Sequence, residues 1–165
     1  MLYKRFTGVF VTKLGKAEKK VLASLLSDGR RPYSKIAKDN KLTRQTVHNA
    51  INRLYDAGVI QRFSTQLDFE KLGLDIRVYS LISLNKRDNR HKFEKSLSYF
   101  KEISQIHRVL GQHDYLLEIT VPNRVALTNL FERIGELPEV ERMETLLVFQ
   151  TIKYSPDDPV RPLLD

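Results

Sequence analysis

At 165 residues, with 41% hydrophobic and 29% charged side chains, the chain has the make-up of one ordinary globular domain or two small ones, and disorder is not its default. It holds no Cys, which excludes a disulfide scaffold and thiolate metal sites. Its formal charge of +8 lies wholly in the first seventy residues, where fourteen Lys and Arg face six Asp and Glu; the remainder carries fourteen of each. A basic module joined to a neutral one points to a polyanion-binding part and a part with another task.

In chain order, Met1 to Lys13 sets Lys4 and Arg5 ahead of an apolar stretch, Phe6 to Val11, that is too short and interrupted for a signal peptide. No run approaches the roughly 20 apolar residues of a membrane span, so a soluble cytoplasmic protein is expected. From Leu14 to Asp28, apolar residues at Val21, Leu22, Leu25 and Leu26 make the stripe of an amphipathic helix. Asp28–Gly29 ends it, with Gly29 available for a left-handed cap. A second short helix is predicted from about Pro32 to Asp39, with Ile36 and Ala37 inward. Asn40–Lys41 makes a turn, Leu42 is its buried residue, and Thr43 is the expected N-cap of the next helix.

The third helix, about Arg44 to Ala57, is the informative one. Val47, Ala50, Ile51 and Leu54 recur at i, i+3, i+4 and i+7 and define a buried stripe. At about 100° per residue, the opposite face carries Gln45, His48, Asn49 and Asn52, with Arg44, Thr46 and Arg53 on its flanks. No acidic residue interrupts this face before Asp56. Asn and Gln can pair with adenine edges and Arg with guanine, so as the third helix of a three-helix unit this face suits the major groove of DNA. The ordinary alternative is a solvated helix face, which would mix Glu with Lys. Arg30 and Arg31, in the first interhelical loop, are placed to grip flanking phosphates or simply to sit in water. His48 touches a base, senses pH, or does neither. Gly58 closes the helix, and Val59 to Leu67, with Gln61 and Arg62, reads as an extended wing or strand beside the helices.

Beyond Leu67 to Leu74, a linker with Gly73 as its bend, the period changes. Asp75 to Leu84 is a strand with Ile76, Val78, Ser80, Ile82 and Leu84 on one side and Arg77, Tyr79, Leu81 and Ser83 on the other. Asp88 to Glu102 is a helix, Ile103 to Leu110 a strand, Gly111–Gln112–His113 a tight connection, and Tyr115 to Val121 a third strand. Asn123 caps a second helix with Leu127, Leu130, Phe131 and Ile134 inward, ended by Leu137–Pro138, and Val140 to Tyr154 is a last long strand. The order βαββαβ is the ferredoxin-like arrangement, so the fold class is α+β. The strands are apolar on both faces, and such a sheet is covered on both. Nothing left in the chain covers the second face, so a homodimer through these sheets is expected. Its two basic modules would suit a palindromic duplex with half-sites roughly 34 Å apart.

These residues resemble the Lrp/AsnC family of transcription regulators from about Lys13 to Tyr154. The resemblance runs through Asp28–Gly29–Arg30, Leu42–Thr43, Arg53–Leu54 and Ala57–Gly58–Val59–Ile60, then Gly111–Gln112–His113–Asp114–Tyr115–Leu116–Leu117, Leu137–Pro138–Glu139–Val140 and Thr145. It implies a winged helix-turn-helix domain over residues 13–66, a linker over 67–74, and a dimerising effector-binding "RAM" domain over 75–154. Dimers of this kind often assemble to octamers and bind an amino acid or similar small molecule between dimers. The DNA-contacting set would be Arg30, Arg31, Thr43, Arg44, Gln45, Thr46, His48, Asn49, Asn52, Arg53 and Arg62. The effector loop would be Gly111, Gln112, His113, Asp114 and Tyr115. There Gly111 would allow close backbone approach, while Asp114 takes an effector amine or a backbone amide, or only organises the turn. His113 tunes effector choice or has no role. Where the family often has Gly before the turn leucine this chain has Lys41, so Asn40 is expected to take the left-handed conformation. Residues 1–12 and 155–165 lie outside the resemblance and are expected to be loosely ordered, although Phe6, Val9, Phe10 and Val11 could pack on a neighbour.

Two rival functions use the same residues. Relatives of this architecture act as sirohaem decarboxylases, but His91, His107 and His113 lack metal-ligand spacing, and no cofactor or metal is expected. An RNA reader would arrange aromatics on an exposed platform, whereas Tyr3, Phe6, Phe10, Tyr33, Tyr55, Phe63 and Phe69 are scattered. A DNA-binding regulator, not an enzyme, is the expectation.

Overall fold

The computed structural model describes residues 12–85 and 89–164, so the apolar cluster of Phe6 to Val11 lies outside the described residues. The chain divides into two units, one formed by residues up to Thr65 together with those from Lys153 onward, the other by Gln66–Ile152. The fold class is α+β, as the sequence periods require.

In the first unit, three helices, α1 (Lys16–Ser27), α2 (Tyr33–Asn40) and α3 (Arg44–Asp56), bury the stripes read from the sequence. Val21, Ile36 and Val47 are fully enclosed, with Leu25, Ile51 and Leu54 beside them. Each such side chain removed from water contributes roughly 1.5–3 kcal/mol. The Thr43 hydroxyl accepts from the Thr46 amide at 3.0 Å and starts α3, as its position predicts. Gly58 closes the helix at φ +68°.

Three local expectations are corrected here. Gly29 is not left-handed, because Asp28 caps α1 in an extended conformation and its carboxylate accepts from the Arg30 amide at 2.9 Å. Lys41, not Asn40, takes the left-handed conformation, at φ 54° and ψ 46°. Asn40 is held in the last turn of α2 by its own side chain, whose Nδ2 donates to the Ile36 carbonyl at 2.9 Å and to Ser24 on α1 at 3.0 Å. Of the two readings for the segment after α3, wing or paired strand, the strand is not formed among the described residues: residues 60–68 are coil. Its Phe63 ring turns back edge-on to Tyr55, centroids 5.9 Å apart, which takes the segment toward the helices and out of a ladder.

The tail is a further correction. Asp158–Leu163 forms a 3-10 helix, and Val160 and Leu164 pack against the three-helix core. Loose order is the expectation for residues 155–165 as a terminal segment outside the resemblance; the ordering comes from those two apolar contacts and from ion pairs among Lys153, Asp157, Asp158 and Arg161.

The second unit opens with a 3-10 turn, Glu70–Leu72, that Gly73 ends at φ +77°. Four antiparallel strands follow, β1 (Ile76–Leu84), β2 (Ile103–Arg108), β3 (Tyr115–Val121) and β4 (Val140–Leu147), in the order β2-β3-β1-β4. Helices α4 (Arg90–Leu97) and α5 (Arg124–Gly135) cover one face through Phe93, Leu97, Leu130 and Ile134, which meet Val78, Ile82, Leu117 and Ile119. Asn123 caps α5 by accepting from the Ala126 amide at 2.9 Å.

Three elements are shorter than predicted, β2 among them, which ends at Arg108 and not Leu110. Helix α4 stops at Leu97 because single turns through Ser98, Tyr99 and Phe100 lead into β2. Strand β4 stops at Leu147, not Tyr154, because its partner β1 begins at Ile76. The bond from the Val148 amide to the Arg77 carbonyl, 2.9 Å, carries the pairing one residue further. Register places Tyr79 opposite Leu146, Leu81 opposite both Leu116 and Glu144, and Tyr79 also opposite Glu118. These residues occupy the sheet face away from α4 and α5.

Candidate nucleic-acid interface and loop site

Helix α3 presents Gln45, His48, Asn49 and Asn52 to solvent on the face opposite its buried stripe. Within that face Gln45 Nε2 donates to Asn49 Oδ1 at 2.8 Å, and Asn52 Nδ2 lies 3.4 Å from His48 Nδ1. Pairs at i, i+4 on a helix are worth only about 0.2–0.5 kcal/mol, so base edges can displace them at little cost. Arg44 is exposed on one flank. On the other, Thr46 Oγ1 pairs with the Thr43 hydroxyl at 2.8 Å, and Arg53 reaches Glu18 of α1 at 3.6 Å. Arg53, Thr46 and Asn49 line a cleft of about 320 Å³ with Gly15 and Lys16 at the start of α1.

The loop arginines separate. Arg30 is exposed, whereas half-buried Arg31 is ion-paired with Asp39 and ties the loop to α2. Arg62 is exposed in the coil after α3. The structure thus brings together Gln45, His48, Asn49 and Asn52, with Thr46 and Arg53 at one margin, and sets Arg30, Arg31 and Arg62 on separate segments. Two neighbours were missed by sequence reasoning. Tyr33, at the first position of α2, is exposed and stands edge-on to His48 with centroids 6.4 Å apart. Lys16 is placed by the α1–α3 packing. The signal for Tyr33 was its position right after Pro32, at a helix start; Lys16 had none, because its neighbour is thirty residues distant in sequence.

The loop between β2 and β3 is built differently. Leu110 is fully exposed, and Gly111 follows at φ +144°, a conformation that favours Gly. Gln112 faces solvent. His113 leans onto the uncovered sheet face, with Nδ1 3.1 Å from Ser83 Oγ and Nε2 3.9 Å from Glu144. Asp114 turns inward and is buried. Its amide donates to the Ile82 carbonyl at 2.8 Å, Oδ2 accepts from the Leu84 amide at 3.1 Å, and Oδ1 accepts from Arg90 at 3.2 Å. Tyr115 is in the core against Phe93, its hydroxyl donating to Glu94 Oε1 at 2.8 Å beside Arg108. Burial, and then the hydrogen bond to the Glu94 carboxylate, push the Tyr115 phenol up to about 12. Arg90 and Glu94, which hold the loop's inner half, were missed by sequence reasoning. Long-range partners of this kind leave no local pattern.

Among the described residues, no cluster of three or more His, Asp and Glu side chains is arranged to hold a metal ion, and no helix is long and apolar enough to cross a membrane.

Comparison with known proteins places these two regions in separate families of domain. Residues 14–61 match the winged helix-turn-helix DNA-binding profile, and residues 77–158 match the Lrp/AsnC ligand binding domain. The chain is 29% identical over 148 residues to the HTH-type transcriptional regulator FL11 of Pyrococcus horikoshii, covering 90% of this chain and 97% of the relative. It is 31% identical over 139 residues to a proline dehydrogenase transcriptional activator of Rhizobium radiobacter, covering 81% and 88%. Its fold matches that of a transcriptional regulator crystallised with L-Met from Neisseria meningitidis, with a TM-score of 0.85 at 22% identity, covering 92% and 99%.

Proposed function

Since the chain belongs to the Lrp/AsnC family and is a DNA-binding transcription regulator, we propose that it reads duplex DNA through the exposed face of α3, as a homodimer under the control of a small effector. The observation that carries the reading is the polar face itself. Gln45, His48, Asn49 and Asn52 stand together without a carboxylate among them, and their mutual hydrogen bonds are the weak, exchangeable kind. Arg30 and Arg44 supply phosphate contacts on either side, Arg62 a further one, and Arg31 and Arg53 act from their ion-paired positions. Positive charge sets affinity and its salt dependence; the amide side chains set sequence preference.

The homodimer is supported by the uncovered sheet face, where Tyr79, Leu81, Leu116 and Leu146 lie around the Arg77–Glu118 ion pair. Glu118 is buried there even without a second copy. Two-fold pairing would cover this apolar surface and present two α3 helices to a palindrome.

An amino acid is the proposed effector, in keeping with the L-Met complex of the Neisseria relative. It would meet the Gly111–Tyr115 loop from outside, at Gly111, Gln112 and His113, with Asp114 and Tyr115 anchoring the loop from within. Effector and DNA would then bias one another's affinity by the same factor.

The test is binding to duplex fragments from the chain's own promoter region. Replacing Gln45 and Asn49 together by Ala should reduce discrimination between operator and unrelated duplex by about tenfold or more, since each good bidentate contact is worth about 1–3 kcal/mol. Arg30→Ala should weaken all duplexes alike and lower the salt slope by about one. Unchanged discrimination in the Gln45/Asn49 variant would place sequence reading elsewhere. A single sedimenting monomer at high concentration would remove the dimer.

A further inference from the structure

Two half-buried apolar side chains from late in the chain, Val160 and Leu164, pack against the core of the DNA-binding module. Val160 and Leu164 lie against the cluster that contains Val21, Ile36, Val47 and Leu54. They arrive on a stiff segment: Asp158–Leu163 is a six-residue 3-10 helix with Pro159 at its start and Pro162 inside it. Runs of this length are uncommon, because 3-10 hydrogen bonds are poorly aligned, so other forces must hold it. The prolines restrict φ, and ion pairs brace the turns, Arg161 to Asp157 at 3.0 Å and to Asp158 at 3.3 Å, and Lys153 to Asp158 at 2.6 Å. Among the described residues, the coil of residues 60–68 contributes no strand to the module.

We propose that this C-terminal tail is a structural part of the DNA-binding module, closing the three-helix core and holding α3 in place from the far end of the chain. The module is then assembled from both ends of the sequence. The sheet unit is tied to it covalently twice, once before β1 and once after β4, with ten residues between Leu147 and Asp158. The chain thus runs from β4 through ten residues directly to side chains packed against the three-helix core.

Hydrogen exchange on the full-length protein, followed peptide by peptide without DNA, tests this independently of the DNA-binding assignment. In a Val160→Asn, Leu164→Asn double variant, amide protection in α1 and α3 should fall by about tenfold or more while β1 and β3 keep theirs, because the tail's apolar contacts lie in the helical core alone. Leu164→Ala should give a smaller loss with the same confinement, and Val160→Ile with Leu164→Met should restore protection. Affinity for duplex DNA should fall in step with protection of α3. Wild-type protection of α1 and α3 in the double variant, or a loss spread equally over helices and sheet in both weakened variants, would overturn the proposal.

Discussion

In the helical unit the polar side chains of α3 pair with one another along a single helix, Gln45 with Asn49 and His48 with Asn52, each four residues apart. In the sheet unit they pair across elements, Asp114 with the Leu84 amide and Arg90, Tyr115 with Glu94. The first kind of pair leaves the backbone indifferent to its presence and can be traded for an outside partner. The second kind fixes where strands and helix meet, and trading it would unpick the fold. A residue's polarity therefore says little about its availability; the sequence distance to its partner says more. By that measure α3 is open for recognition along its whole outer face, while the loop before β3 is open only in its first half.

The sharpest way to break the comparison is to damage each core in turn. Leu54→Ala and Ile119→Ala remove comparable, fully enclosed side chains from the two units. Each should cost about 2–5 kcal/mol. If the units are separately cooperative, Leu54→Ala should abolish duplex binding and melt the helices early, while the sheet signal persists. Ile119→Ala should do the reverse. Calorimetry of both variants checks this: coincident loss of all structure in either one would mean a single cooperative core.

A smaller effect, about 1–3 kcal/mol, is expected at Asp114→Ala, which strands the buried Leu84 amide and removes the partner of Arg90. The loss should appear as lowered stability of the sheet unit in the absence of any amino acid. Chemical denaturation without ligand, beside calorimetric titration with a panel of amino acids, separates this from a direct ligand contact. A variant of unchanged stability that had lost ligand binding would move Asp114 from the inner half of the loop to the outer.

How much of this the sequence disclosed follows the same division. The three helices, the buried stripe of α3, the Thr43 and Asn123 caps and the βαββαβ succession of elements all rest on local period and on caps three residues from their partners, and these were readable directly. The outer face of α3 was readable as the complement of that stripe. What was not readable depends on distant partners. Asn40 is claimed by Ser24, Phe63 turns back to Tyr55, and Asp114 meets Arg90 across the βα connection. Likewise Val160 and Leu164 find their apolar neighbours more than a hundred positions away. The end of β4 is of this class as well, since the stop after Leu147 is set by where its partner β1 begins and not by a break in the sequence of residues 148–154.

Lys41 offers the smallest and most discriminating test, because it joins the two kinds of reasoning in one residue. Its backbone is left-handed, φ 54°, among the described residues the one non-Gly position with positive φ. An L side chain in that conformation carries a steric penalty of roughly 1–2 kcal/mol that Gly does not. Replacing it by Gly also frees the unfolded chain, which returns about 0.4–1 kcal/mol of that gain. Lys41→Gly should therefore stabilise the helical unit by a few tenths to about 1 kcal/mol, measured as a rise in the denaturation midpoint. If the Lys41 ammonium, exposed at the turn just before α3, also meets a phosphate, the same variant should bind duplex more weakly and with a salt slope reduced by about one. A more stable protein that binds DNA less well would show that this turn holds a strained lysine for its charge. Lys41→Asn, which tolerates the left-handed backbone without restoring the charge, should match the Gly variant in DNA binding while gaining less stability. Equal DNA affinity in all three proteins would leave the strained lysine without a role in binding.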